Sequence, residues 1–434
     1  MVKKILKGAL RYIKKPTLAL GLAFFTVVCA SQINFRVRDI KNNLSDSEIR
    51  EEFKEEFGFP ILGFKEEIED HPKRISKIAD VIHREQMIRP FELDFIRIRS
   101  DKFLHKPPLE QIVQSFTGDW GQYYFNRVII RHDDFGEGIV VHEIKHAKTF
   151  DAIHEGDGFL RQYQNISLDD NGKSVYLNPL EMICVYVPSL RFFIADKYDI
   201  NENLGLGLLS NYARTNILED IAVIATSAER ETDRNIYARR NIYNFSIWLI
   251  DVEWKNERIV DRITVLEDHH IISPEFTQYV ELETNLPRIF SHYKNYDDDL
   301  ALQFLGESEQ FLKDNPSTIY GSKIHYQRAI VLGEFYPEIY DWGYDYDSIL
   351  NECMATLTSE YKDPEAYTKT LRYLGDAYQL LGLEEKSSIF IRAGFLYQQR
   401  REEGNLNLVT IGVNDFLDEN GIDFSQSIKV DPLK

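Results

Sequence analysis

The sequence predicts an α+β domain over residues 31–260, an α-helical domain over residues 261–434, and a separate leader over residues 1–30. Three observations carry this division. Phe91-Glu-Leu-Asp-Phe-Ile-Arg-Ile98 nearly alternates apolar and polar residues, the period of a half-buried strand. Phe125–Ile130 reads as a second strand, followed by a turn over Asp133–Gly138 and an apolar helix start at Ile139-Val140-Val141. From about Arg262 onward, the apolar spacing is helical and no strand signal of comparable strength recurs. A chain of 434 residues exceeds one core of typical size, and its 43% hydrophobic content suffices for several.

The leader comes first in order. Lys3, Lys4, Lys7, Arg11, Lys14 and Lys15 precede an apolar stretch from Thr17 to Val28, and Val28-Cys29-Ala30 offers small residues before a cut at Ser31. This is the arrangement of a secretory signal peptide, with an apolar core short for a full membrane span. An uncleaved N-terminal anchor or a lipidated Cys29 are the alternatives, and all three predict export, two of them with membrane association through residues 1–30. Formal charge is −19, and the leader holds six basic residues and no acid, so the remaining chain is more acidic still. Such a body excludes general binding to nucleic acid or anionic lipid. Cys184 and Cys353 are two free thiols or one disulfide, and neither has zinc-ligand spacing.

Ser45-Asp46-Ser47-Glu48 predicts a helix cap, with the helix ending at Gly58-Phe59-Pro60. A longer amphipathic helix is expected from about Lys65 to Met87, with Ile68, Ile75, Ile78, Ala79 and Ile82 at helical spacing. The two strands follow, and then His142-Glu143-Ile144-Lys145-His146, an H-E-x-x-H sequence. Residues four apart share a helix face, so His142 and His146 can present two imidazoles to one Zn2+, with Glu143 placed to act on water beside it. Two ordinary histidines on a surface helix are the alternative, against which the apolar helix start argues.

A third ligand must come from elsewhere. The short continuation that places a histidine six residues after the motif is absent, because Thr149 and Ala152 stand at its positions. His154 and Glu155 are near, but the chain is expected to leave the helix around Gly156-Asp157-Gly158. The better candidate is Glu219, set among Ile217, Leu218, Ile221, Ala222, Val223, Ile224 and Ala225. An ionised glutamate in such surroundings is costly unless it is paired or metal-bound. Asn216-x-x-Glu219 also fits a capping box, which would explain the acid without a metal. His132, His269 and His270 lie beside acids and are expected to be solvated loop residues.

The segment Tyr212-Ala-Arg-Thr-Asn-Ile-Leu-Glu219-Asp220 resembles the third-ligand helix of gluzincin-type zinc metallopeptidases, and is most similar to their small-bacterial and lethal-factor-like branch. The match covers two short motifs within about residues 60–260. The resemblance implies a zincin-like catalytic fold, zinc bound by His142, His146 and Glu219, and Glu143 as general base. It further implies that the Tyr212 hydroxyl steadies the tetrahedral intermediate and that Asp220 orients an imidazole from the outer shell. Several relatives carry an acid where Val223 stands, a departure that leaves that outer shell open.

In the C-terminal region, Leu302–Leu312, Lys323–Leu332, Asp347–Tyr361 and Glu365–Leu381 have helical spacing. Leu371, Leu374, Gly375, Tyr378, Gly382, Ser387 and Ile391 resemble a tetratricopeptide-like hairpin, with a faint second copy at Val331-Leu332-Gly333 to Tyr336. A plain amphipathic helix pair is the alternative. The expectation is an exported zinc metallopeptidase acting on a peptide or protein, with a protein partner recognised through the C-terminal helices. The rivals are a zincin-shaped binding scaffold and a structural envelope protein.

Overall fold

The computed structural model describes residues 48–63, 72–99, 121–123, 126–131, 137–156, 158–178, 205–210, 213–232, 257–290, 298–339, 346–403 and 409–422, with single positions at 181, 194 and 203. The leader with Cys29, the cap expected at Ser45, His132, Cys184 and Tyr212 all lie outside the described residues.

Helix α1 (Glu48–Phe57) ends at Gly58, whose φ of 78° reverses the chain at no steric cost. Phe53, Phe57 and Phe59 then pack ring against ring and deliver the chain into strand β1 (Ile61–Leu62). Helix α2 (Pro72–Ile88) starts on a proline, suited to the first helical position. Its expected N-terminal extension to Lys65 falls outside the described residues. Strand β2 (Phe95–Arg99) is shorter than the alternation suggested. Pairing begins only where partners begin, at Phe95 beside Arg127 and Ile96 beside Ile61, so Phe91 and Leu93 are buried without belonging to the strand.

With β3 (Gly121–Tyr123) and β4 (Arg127–Arg131) the sheet has order β1-β2-β4-β3. β1, β2 and β4 are parallel, and β3 runs antiparallel along β4. Ile96, Ile98, Val128 and Ile130 share a core with Ile75, Ile78 and Ile82 of α2 and with Val140, Val141 and Ile144 of the next helix. That helix is α3 (Glu137–Glu155), which carries the H-E-x-x-H sequence. It stops at Gly156, φ 71°, and α4 (Phe159–Ile166) follows.

Beyond these lie α5 (Ile217–Thr232), α6 (Glu257–Asp268), α7 (Phe276–Phe290), α8 (Asp298–Asp314), α9 (Gly321–Ile339), α10 (Tyr346–Thr358), α11 (Pro364–Leu380), α12 (Glu384–Glu403) and α13 (Val409–Glu419). Asp363 caps α11 by accepting from the Ala366 amide, and Gly382 at φ 71° turns the chain into α12. A Cβ on Gly375 would stand 2.6 Å from Ile391 Cγ1, so the glycine permits the close approach of α11 and α12. Ser387 is buried at this hairpin, and Cys353 is a buried free thiol pushed up by burial.

The apolar clusters do not divide at residue 260. One runs from Ala152, Phe159 and Tyr163 through Ile221 and Ala225 of α5 to Ile259, Ile289, Ile324 and Tyr361. A third cluster joins α9 to α13. Segments far apart in sequence also meet: Arg401 of α12 holds Asp80 of α2, and His83 meets the Tyr361 ring edge-on at 5.8 Å.

Candidate metal centre

The site is built by α3 and α5, which pack against each other. His142 and His146 are one turn apart on α3, with ring centroids separated by 4.8 Å at nearly right angles. Glu219 sits in the first turn of α5, and its Oε2 lies 3.1 Å from His142 Nε2 and 3.4 Å from His146 Nε2. The three donor atoms fall within 4.8 Å of one another, a grouping not repeated among the described residues. Tetrahedral zinc with bonds of about 2.0–2.1 Å needs donor atoms roughly 3.3 Å apart. The two distances to Glu219 are close to that edge, and two imidazoles with a carboxylate are donors that zinc takes, so the residues present fit the ion.

The start of α5 explains how Glu219 reaches inward. Asn216 Oδ1 accepts from the amides of Leu218 at 2.9 Å and Glu219 at 3.1 Å. The cap therefore uses the Glu219 backbone, while its carboxylate turns to the imidazoles. Burial alone would raise Glu219, but the bonds and charges of both histidines hold it well below the usual carboxylate range. Burial lowers His142, opposed by its bond to Glu219. Burial would lower His146 as well, yet the bond to Glu219 and the charges of Glu219 and Glu143 carry it above the ordinary imidazole value. Glu143 is buried, and its charge is felt at His146. Side-chain exposures of 18% for His142 and 17% for Glu219 leave the cluster partly accessible to solvent.

Asp220 does not turn toward an imidazole. It follows Glu219 by one residue, about 100° further round the helix, and meets other partners there. There it is fully buried, with Oδ2 accepting from Tyr176 at 2.8 Å and Tyr163 at 3.2 Å, and lying 3.3 Å from Arg262 Nε. Burial pushes its carboxyl up to about 6, against the pull of Arg262 and the two hydroxyls. Arg262 also donates to the carbonyls of Leu206 and Gly207. A Cβ on Gly207 would land 2.2 Å from the guanidinium, and its φ of 76° suits only glycine comfortably.

A second buried charge group backs α3. Lys145 and Lys148 donate to Glu85 Oε2 of α2 at 2.7 and 2.6 Å, and Lys145 also donates to the carbonyl of Ile271 at 2.8 Å. None of the three charged side chains touches solvent. Sequence reasoning passed over these residues. The available signal was position: Lys145 and Lys148 occupy the helix stripe shared by the buried Val141 and Ala152.

The remaining candidates lie apart. His154 is exposed, and Glu155 is exposed and pairs with Arg89. His269 is not simply solvated, since its Nε2 lies 2.9 Å from Gln162 Oε1 and its ring packs on Phe159 at 5.0 Å. His270 is exposed in the left-handed conformation, φ 55°. No family model, curated protein or solved structure matches the chain.

Proposed function

We propose that the protein is an exported zinc-dependent peptidase in which His142, His146 and Glu219 hold the ion. The observation that carries this reading is the convergence of these three donors within 4.8 Å of one another, with His142 and Glu219 partly accessible to solvent. Three protein ligands and an open position are the pattern of catalytic zinc sites, whereas structural sites close all four. When bound there, zinc supplies Lewis acidity and lowers the pKa of water at the open position.

Glu143 is adjacent to His142 on α3, buried, and acts as the proton acceptor for the attacking water. Peptide as substrate follows from the resemblance of the two helices to gluzincin peptidases, and the leader resembling a signal peptide supports export. By the same resemblance Tyr212, outside the described residues, is assigned to steadying the reacting carbonyl oxygen.

Metal analysis of purified protein combined with a peptide-library cleavage assay tests the proposal. Glu143→Gln is expected to retain stoichiometric zinc while hydrolysis falls at least a hundredfold, the usual scale of a lost general base. Loss of zinc together with the fold would make Glu143 structural and remove the assignment. A second reading, a zinc-holding scaffold that docks a protein partner, is favoured by Leu380, Leu383 and Phe395 standing exposed on the α11–α12 hairpin. Zinc retention without cleavage of any library peptide would select it.

A further inference from the structure

The two ligand-bearing helices are fastened to one shared element. On the α5 side, Asp220 is gripped by Arg262 of α6 together with Tyr163 and Tyr176. On the α3 side, Lys145 stands between His142 and His146 in sequence and donates to the carbonyl of Ile271. Ile271 belongs to the turn that ends α6. That turn is locked back onto the helix: the Ile271 amide donates to Leu266 at 2.8 Å and the His270 amide to Glu267 at 2.9 Å. His270 supplies the left-handed residue this helix stop requires. Arg262 and Ile271 are therefore two points on one rigid body.

Helix rotation is the degree of freedom that matters for a metal site. A side-chain tip lies about 5–6 Å from the helix axis, so a rotation of about 20° moves it roughly 2 Å. Zinc tolerates errors of only about 0.2 Å in ligand distance. Asp220 follows Glu219 directly, so three partners converging on its Oδ2 restrict the rotation of α5 where the Glu219 carboxylate leaves it. Lys145, held by Glu85 and Ile271, does the same for α3 between its two imidazoles. We propose that α6 and its terminal turn form a brace that sets Glu219 against the His142/His146 pair, with Asp220, Arg262 and Lys145 as positioning residues. The proposal rests on the reading of His142, His146 and Glu219 as metal ligands.

The test uses the full chain, zinc as ligand, and cobalt as a spectroscopic probe of coordination geometry. Lys145→Met cuts the link to Ile271 and leaves Lys148 and Glu85 as a balanced pair, so no buried carboxylate is orphaned. Asp220→Asn with Arg262→Met removes both charges of the other link together. Each variant is expected to stay folded without metal, to bind zinc about tenfold to a hundredfold more weakly, and to show an altered cobalt d–d spectrum. Leu374→Ala in α11 serves as a destabilised control and should leave affinity and spectrum unchanged. If the double variant does not fold, Lys145→Met decides alone. Folded variants with wild-type zinc affinity and an unchanged cobalt spectrum, in a protein whose zinc binding is lost in His142→Ala, would overturn the brace and leave the site standing. Wild-type protein that binds no zinc through His142 would instead overturn the site, and the brace with it.

Discussion

At the scale of single residues, Glu219 carries the most weight. The sequence offered two explanations for it, a capping acid or a ligand, and placed them as alternatives. The geometry separates them onto different atoms: Asn216 caps through the backbone amide of Glu219, and the carboxylate faces the imidazoles. Two substitutions should therefore have different signatures. Asn216→Ala is expected to cost about 1 kcal/mol of stability, the worth of a helix cap, with zinc affinity changed less than tenfold. Glu219→Gln keeps the side-chain length but removes the charge that both imidazoles hold, so it should cost metal-free stability at neutral pH while zinc affinity falls at least a hundredfold. Denaturant titration and competition with a chromophoric chelator measure the two quantities. Equal loss of affinity in both variants would show that cap and ligand act as one unit. The histidine pair was legible because helical spacing is local, but Glu219 lies 77 positions away and no periodicity links the two. The expectation that Asp220 would orient an imidazole meets a related obstacle: on a helix the residue next to Glu219 is turned about 100° away from it.

At the scale of elements, α3 is held from behind by charge. Burial pushes Glu85 upward, but Lys145, Lys148 and Arg84 overcome this and hold it at about 2. A carboxyl with a folded value below its unfolded value of about 4.3 stabilises the fold above that pH and loses the contribution as pH falls toward 2. Stability is therefore expected to decline between about pH 4.5 and pH 2 through this residue. Glu85→Gln leaves two buried ammonium groups sharing a neutral partner, and should cost about 3–5 kcal/mol at neutral pH. The same variant should show a shallower acid limb in its pH–stability profile by denaturant titration. An acid limb as steep as that of wild type would remove Glu85 from the account. Element type along the chain was largely readable from apolar period, including the helices from Asp298 onward. Ends were less so, because strands such as β2 begin where a partner strand begins, and that is information from elsewhere in the chain.

At the scale of the whole molecule, the division at residue 260 was a change of sequence character, and packing does not respect it. The face of α5 opposite the site is covered by α6 and α7: Ile221, Ile224, Ala225 and Ala228 share a cluster with Ile259, Ile263, Phe276 and Tyr279. Lys145 reaches to Ile271, and Asp220 to Arg262. The mixed region thus borrows both its apolar cover and its buried charge partners from residues beyond the boundary. At the far end, Arg401 on Asp80 brings the C-terminal hairpin back onto α2, the helix that also supplies Glu85. Character along the sequence could not reveal this, since burial is decided by which faces meet. A fragment of residues 31–260 would strip part of the cover from four apolar side chains of α5 and leave Asp220 without its guanidinium. Exposing a core face of this kind while orphaning a buried charge costs an amount comparable with the 5–15 kcal/mol that stabilises an ordinary domain. The fragment is therefore expected to bind a hydrophobic dye, to lack near-ultraviolet circular dichroism and to hold no zinc, as a compact state without fixed packing does. Residues 31–290, which restore α6, its turn and α7, should recover part of the near-ultraviolet signal and measurable zinc binding. Native-like zinc affinity in the 31–260 fragment would show instead that α3 and α5 set the site by themselves.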